Sequence, residues 1–231
     1  MRIDKYLTKT GLGNKKQVKT LLKRKHIIVD DKVVSNEGFQ VTEQSNVYYK
    51  ENDTLQKLEY EEYIYLMLHK PKNYVSATQD NLHHSVLELI KDYEERDLHI
   101  VGRLDIDTEG LLLITDDGYF THKVTSPKSN ITKTYYVEYT GTLVEDAITK
   151  VEEGIILDDG ERTLPGSLEV LSNNCANITI SEGKFHQIKR MFAGLGAKVT
   201  YLKRTKIGTL ELDIKLGEYR KLTKEDIKKI I

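Results

Sequence analysis

Cysteine is nearly absent: Cys175 is the only one in 231 residues. That excludes an internal disulfide and a cysteine-built zinc site. Long apolar runs are missing too. The longest candidate, Leu111 to Ile114, has the size of a core strand and falls far short of a membrane span. The opening residues alternate in charge and carry no apolar leader, so a cytoplasmic protein is expected. The seven histidines are scattered, and His83-His84 reads as a solvated turn, so neither a metal nor a cofactor is expected. Acidic residues are missing from two stretches. Gly118 to Val137 has none, although His122, Lys123, Lys128 and Lys133 are there. Gly183 to Gly208 has none either, against Lys184, Lys189, Arg190, Lys198, Lys203, Arg204 and Lys206. Such gaps suggest a groove kept positive for a polyanion.

Charge is present in quantity, at 31% of residues, against 39% hydrophobic, an ordinary globular balance. The net charge of -1 conceals an asymmetry. Met1 to Val34 holds Arg2, Lys5, Lys9, Lys15, Lys16, Lys19, Lys23, Arg24, Lys25 and Lys32 against Asp4, Asp30 and Asp31. The segment is therefore +7 and the remainder -8. A basic module on an acidic chain suggests a partner with phosphates.

The basic module reads as helix, helix, hairpin. Ile3, Tyr6 and Leu7 are spaced for a helix over residues 2 to 10, which Gly11 and Gly13 end. Asn14 caps a second helix to about Lys25, with Val18, Leu21 and Leu22 on its apolar side. Lys15, Lys19 and Lys23 recur every fourth residue and stack along another side, an arrangement that a phosphate backbone would relieve. Ile27 to Val34, turning at Asp30-Asp31, reads as a tight hairpin. This order resembles the S4 RNA-binding module, with Asn14-Lys15-Lys16 where Ser-Arg is more usual; Lys keeps the charge and loses bidentate contacts. The resemblance implies that Arg2, Lys15, Lys16, Lys19, Lys23, Arg24 and Lys25 bind RNA.

A further strand is expected over Val41 to Tyr49, and the polar stretch 51 to 62 reads as a linker. We place the domains at 1–58 and 59–231. Beyond the boundary, strands are expected over Tyr63 to Leu68, His99 to Val101, Thr134 to Tyr139, Ala176 to Ile180 and Val199 to Leu202. Helices are expected over Ser85 to Asp92, Glu145 to Glu152 and Gln187 to Leu195. Many short strands with few helices indicate an α+β fold, a small N-terminal module followed by a mixed, mostly antiparallel sheet with flanking helices.

The most informative run is Gly102-Arg103-Leu104-Asp105-Ile106-Asp107-Thr108-Glu109-Gly110, which feeds the apolar Leu111 to Ile114. A carboxylate beside a guanidinium at the mouth of a strand is a nucleophile candidate. Asp105, Asp107 and Glu109 also alternate like calcium-loop ligands, with Gly110 next. The match fails at Leu113 and at Asp116, where a polar ligand and a long bidentate Glu belong. A two-carboxylate hydrolase fits poorly, because its acids face each other across a cleft, about 5 Å or more apart.

Taken together, Lys70 to Ser76, Gly102 to Gly118, Lys133-Thr134-Tyr135, Ile180 to Phe192, Leu202-Lys203-Arg204 and Ile207-Gly208 resemble the RsuA-type ribosomal RNA pseudouridine synthases, apart from His69 where Asn is commoner. That resemblance implies isomerisation of uridine to pseudouridine in a flipped nucleotide. It makes Asp105 the essential aspartate, Tyr135 the ring that stacks on the base and takes part in proton transfer, and Lys189 the cation paired with the aspartate. It places Arg103, Ile188, Arg190 and Lys70 around the substrate. Breaking an N-glycosidic bond and rejoining the base through carbon exchanges no electrons, so no cofactor is implied. Attack on the sugar, addition to the ring and removal of a sugar proton all stay open as the role of Asp105. The turn Asp105 to Gly110, the Asp116-Asp117-Gly118 ending and the absence of a long basic tail look most like the 16S branch, acting as a monomer on a precursor or assembly intermediate. The alternatives are a 23S enzyme and a non-catalytic assembly factor.

Overall fold

In the computed structural model, which describes residues 1–42, 44–93 and 96–231, Ile3, Tyr6 and Leu7 share the buried side of helix α1 (Ile3–Lys9). Gly11 and Gly13 then adopt positive φ, and helix α2 (Lys15–Lys23) begins at a reciprocal cap. Asn14 Oδ1 accepts from the N–H groups of Lys16 and Gln17, both at 3.1 Å, and Gln17 Oε1 accepts from Asn14 N–H at 2.8 Å. Strands β1 (Ile27–Val29) and β2 (Lys32–Val34) are joined by Asp30 and Asp31, at φ 46° and 64°, the backbone of a two-residue type I′ turn. Strand β3 (Val47–Glu51) pairs with β1 and passes through Asn52-Asp53 into β4 (Thr54–Lys57). The stretch expected to be a linker thus contains a second hairpin. All of β4 is exposed, so its sequence carries no apolar alternation to reveal it. The core is built from Ile3, Leu7, Val18, Leu22, Ile27, Val29 and Val47, each aliphatic contributing roughly 1.5–3 kcal/mol over exposure.

This unit comprises Met1–Ile64 and, later in the chain, Ile90–Leu98. Arg96, in the returning segment, donates to the carbonyls of Lys9 at 2.6 Å and Glu61 at 3.0 Å.

The second unit is Tyr65–Leu89 with His99–Ile231. Its strands are β5 (Tyr65–Lys70), a short parallel pair β6 (Tyr74–Val75) and β7 (His84–Ser85), β8 (His99–Val101), β9 (Glu109–Thr115), β10 (Lys133–Gly141), β11 (Ser167–Ser172), β12 (Cys175–Ile180), β13 (Ala197–Ile207), β14 (Leu210–Glu211) and β15 (Tyr219–Lys221). Helices α3 (Gly118–Thr125), α4 (Ala147–Glu153), α5 (Gln187–Gly194) and α6 (Lys224–Lys228) lie between them. Among the described residues nine strands form one sheet, in the order β11-β12-β10-β13-β9-β5-β15, with β14 on β13 and β8 on β9. Its pairings are antiparallel except β9 with β13, so the fold is α+β with a mixed, mostly antiparallel sheet. The helix expected over Ser85 to Asp92 is only a 3₁₀ turn, Val86–Leu89. Glu88 bends back to accept from Ser85 N–H at 2.9 Å, and from Ile90 the chain belongs to the first unit.

The parallel pairing is short and consequential. Arg204 lies opposite Gly110, where an added Cβ would stand 2.3 Å from Arg204 O. Only glycine lets β13 approach so closely. β9 has buried residues on both faces, and Leu111 and Leu113 join Met67, Val101, Phe120 and Val124 in the core.

Candidate active site

The loop from Gly102 to Thr108 joins β8 to β9 and presents Asp105 to a cleft of about 590 Å³. Its shape is imposed from below. Lys70 ends β5, as Pro71 after it requires, and is completely buried. Its ammonium donates to the carbonyls of Pro71, Asp105 and Thr108 at 3.1, 3.0 and 2.9 Å, and lies 3.4 Å from that of Ile106. Burial pulls Lys70 down to about 8 against the attraction of Asp107, Asp105 and Glu109. Ser76 fastens the other side, donating to Leu104 O at 2.9 Å and accepting from Leu104 N–H at 3.1 Å. Lys70, which the resemblance places at the substrate, therefore sits under the loop and shapes it.

Lys189 reaches this loop from the first turn of α5. Its Nζ stands 3.1 Å from Asp105 Oδ2 and 2.6 Å from Asp107 Oδ1. Burial alone would lower it, but the two carboxylates outweigh burial and raise it above the ordinary lysine value. Asp107 moves the other way: burial raises it, and the bond and charge of Lys189 bring it below the usual carboxylate range. His186 precedes α5 in the left-handed region, at φ 48°, with its Nε2 3.7 Å from Asp105 Oδ2. The ring of Phe185, exposed at the cleft edge, stacks on it at 3.8 Å.

β10 and β13 also line the cleft. Alternation on β10 turns Tyr135 inward, 8% exposed, and sends Tyr136 to the other face, where its hydroxyl donates to Glu138 at 3.2 Å. A bulge opposite Thr134 and Tyr135 shifts the register so that both Arg204 and Ile207 face the cleft, although three positions separate them. Arg204 is buried. Its Nε donates to Leu111 O at 2.7 Å and its Nη1 to the Tyr135 hydroxyl at 3.4 Å. Two residues before Tyr135, Lys133 also lines the cleft.

A scan against protein families matches residues 64–194 to the model described as RNA pseudouridylate synthase and residues 1–47 to the S4 domain. The chain belongs to the RNA pseudouridylate synthase family. It is 42% identical to the ribosomal small subunit pseudouridine synthase A of Vibrio cholerae, over 100% of this chain and 99% of that one. It is 38% identical to an uncharacterized RNA pseudouridine synthase of Bacillus subtilis, over 98% of this chain and 97% of that protein. A crystal structure of a pseudouridylate synthase aligns over 100% of both chains at 36% identity with a TM-score of 0.70. A pseudouridine synthase isomerises uridine in RNA, which calls for a placed carboxylate and a face for a flipped base. Asp105, held by Lys189, and Tyr135 line the same cleft.

Of the other expected site residues, Ile188 and Arg103 line this cleft, Ile188 buried and Arg103 exposed. Arg190 points elsewhere, its guanidinium paired with Asp158 and, at 2.6 Å, with Asp159. The acid-poor stretches do not make a uniformly positive groove, because acids from other segments meet many of their cations. Lys184 pairs with Glu161 at 2.5 Å and Lys206 with Glu211 at 2.6 Å. Asp117, part of the ending taken as a 16S signature, caps α3 by accepting from Tyr119 and Phe120 N–H and also accepts from the Tyr65 hydroxyl at 2.7 Å. In the first unit Lys15, Lys16, Lys19, Lys23, Arg24 and Lys25 are all exposed. Lys19 meets Glu37 at 3.0 Å, and Arg2 forks onto Asp4. The cleft residues that sequence alone does not single out are Lys133 and Arg204. Both lie in motifs that the resemblance rests on, but nothing in one dimension tells which cations of an acid-poor stretch face inward.

Proposed function

We propose that this chain forms pseudouridine in 16S rRNA of the small ribosomal subunit, as a cytoplasmic monomer, with Asp105 acting at the sugar–base bond. The observation that carries the reading is the placement of Lys189 between Asp105 and Asp107, in one cleft with Tyr135. Lys189 fixes where the Asp105 carboxylate points, at 3.1 Å from Oδ2. Tyr135 supplies a flat face for the extruded uracil and a hydroxyl for moving the proton that leaves the ring carbon. Arg103, exposed at the cleft, suits the phosphate of the flipped nucleotide. The choice of subunit is supported by the full-length match to a synthase named for the small subunit.

A nucleotide-resolution pseudouridine map of both large rRNAs, from cells with and without this gene, tests the proposal. One 16S position should lose its signal, wild-type protein should restore it, and Asp105→Asn should not. Asp107→Asn should restore most of it, since Asp107 holds Lys189 and does no chemistry in this scheme. Loss of a 23S position instead would overturn the subunit. Activity of Asp105→Asn within tenfold of wild type would overturn the role of Asp105.

A further inference from the structure

Asp105, Lys189 and Tyr135 leave two cations of the same cleft without a task. Arg204 is 4% exposed, and its Nη2 has no hydrogen-bond partner among the described residues. A buried donor left without a partner is costly, and more so when the group is charged. Lys133 stands on the same face of β10 as Tyr135 and lines the cleft with it; among the described residues no carboxylate pairs with its ammonium. Burial, with Arg204 adding repulsion, holds that ammonium at about 8. Two desolvated cations beside one tyrosine, neither paired with a carboxylate among the described residues, suit a group that carries negative charge.

We propose that Lys133 and Arg204 together hold a carbonyl oxygen of the uracil and take up the negative charge that develops on it as the N-glycosidic bond breaks. The inference rests on the uridine isomerisation described above and adds which groups receive the departing base. When N1 separates from C1′, the bonding pair stays with the base. The charge spreads over N1 and the two exocyclic oxygens until C5 gives its electron pair to C1′; the C5 proton then leaves and N1 takes one up, so the product carries N1–H where the substrate had C5–H. No atom is gained or lost, and no co-reactant is needed. Donors fixed in advance around such an oxygen stabilise it without reorganising. A backbone phosphate is the other anionic candidate. It suits the exposed Arg103 better than Arg204, which lies under the Tyr135 ring with its Cζ 5.9 Å from the ring centroid.

The experiment uses full-length protein and 16S rRNA transcribed in vitro with either uridine or 5-fluorouridine, and reads the steps both can undergo, cleavage at N1 and bonding of C5 to C1′, since C5 of 5-fluorouridine has no proton to lose. Fluorine withdraws charge from the ring, so a 5-fluorouracil anion needs less help from the protein. Conversion of the uridine transcript by wild-type protein checks the family reading separately. Lys133→Gln should slow single-turnover rearrangement of the uridine transcript by roughly 10²-fold, the scale for one such donor, with RNA affinity unchanged. On the 5-fluorouridine transcript its loss should be at least tenfold smaller, and Lys133→Arg should recover most of the rate on both. Equal losses on the two transcripts would overturn the proposal, as would an unchanged rate. Weaker RNA binding with normal rearrangement of bound RNA would reassign Lys133 to a phosphate. Arg204→Lys, which keeps the charge, should show the same dependence on fluorine. Because Arg204 also anchors Leu111, its folding is checked by circular dichroism, and the Lys133 variants decide the matter alone if it unfolds.

Discussion

Tyr135 and Tyr136 are neighbours in the chain with different surroundings. Tyr135 faces the cleft with its hydroxyl 3.4 Å from Arg204 Nη1; Tyr136 lies on the far face against Glu138 and Cys175. Tyr135→Ala should lose the stacking face, worth about 1–3 kcal/mol per base, and weaken binding as well as rate. Tyr135→Phe keeps the face. If the hydroxyl moves a proton, Phe should bind RNA normally and react roughly 10²–10⁴-fold more slowly, stalled after glycosidic cleavage. Single-turnover kinetics with binding measured alongside separate the two, and Phe at the wild-type rate would leave stacking as the only role. The sequence identifies Tyr135 through the Lys-x-Tyr motif. Its partner Arg204 was not identifiable, because a bulge in β13 decides that residue's direction and no local spacing encodes it.

Among elements, α2 matches its sequence most closely, since cap, apolar face and lysine stripe are all local properties. Replacing Lys15, Lys19 and Lys23 with Gln should weaken RNA binding and flatten its salt dependence, by roughly 0.7–0.9 in log–log slope for each phosphate no longer neutralised. Lys19 should contribute least, because Glu37 already holds it at 3.0 Å. An unchanged slope would mean a merely solvated face. Helix α6 is held by a different device. The Arg220 hydrogen bond at 2.8 Å brings Asp226 down to about 2, against burial that would raise it, and Thr223 assists. A depressed carboxylate contributes stability that is complete above its unfolded value near 3.8 and is lost as pH falls toward 2. Asp226→Asn should therefore cost about 2 kcal/mol at pH 7 and only a small fraction of that at pH 2. Denaturant titrations at the two pH values check this, and an equal cost at both would refute the linkage.

Over the whole molecule, the chain leaves its second unit at Ile90 and resumes it at His99, having supplied Ile90–Leu98 to the first. Neither unit is one continuous stretch. Arg96 carries part of that return through the carbonyls of Lys9 and Glu61. Charged hydrogen bonds of this kind are worth roughly 1.5–3 kcal/mol each. Arg96→Met in the full chain should accordingly reduce hydrogen-exchange protection of β1 and β3 while leaving β9 and β10 protected. Equal loss in both sets of strands would show that the units unfold together.

What the amino-acid order determines by itself is local. It specifies the cap at Asn14, the turn at Asp30-Asp31, the periodicity of α2 and α5, the inward side of β10 and the acidic loop around Asp105. Each depends on residues within a few positions, where propensity and periodicity act. Tertiary structure alone decided what meets what. Lys189 reaches Asp105 from a distant part of the chain, Lys70 is buried beneath the loop instead of facing substrate, and Arg190 is drawn off to Asp158 and Asp159. β9, which the Asp105 loop feeds, pairs against β13 at Gly110. Such a close approach depends on a missing side chain on one strand and on the backbone of another, and neither strand's sequence contains the other's.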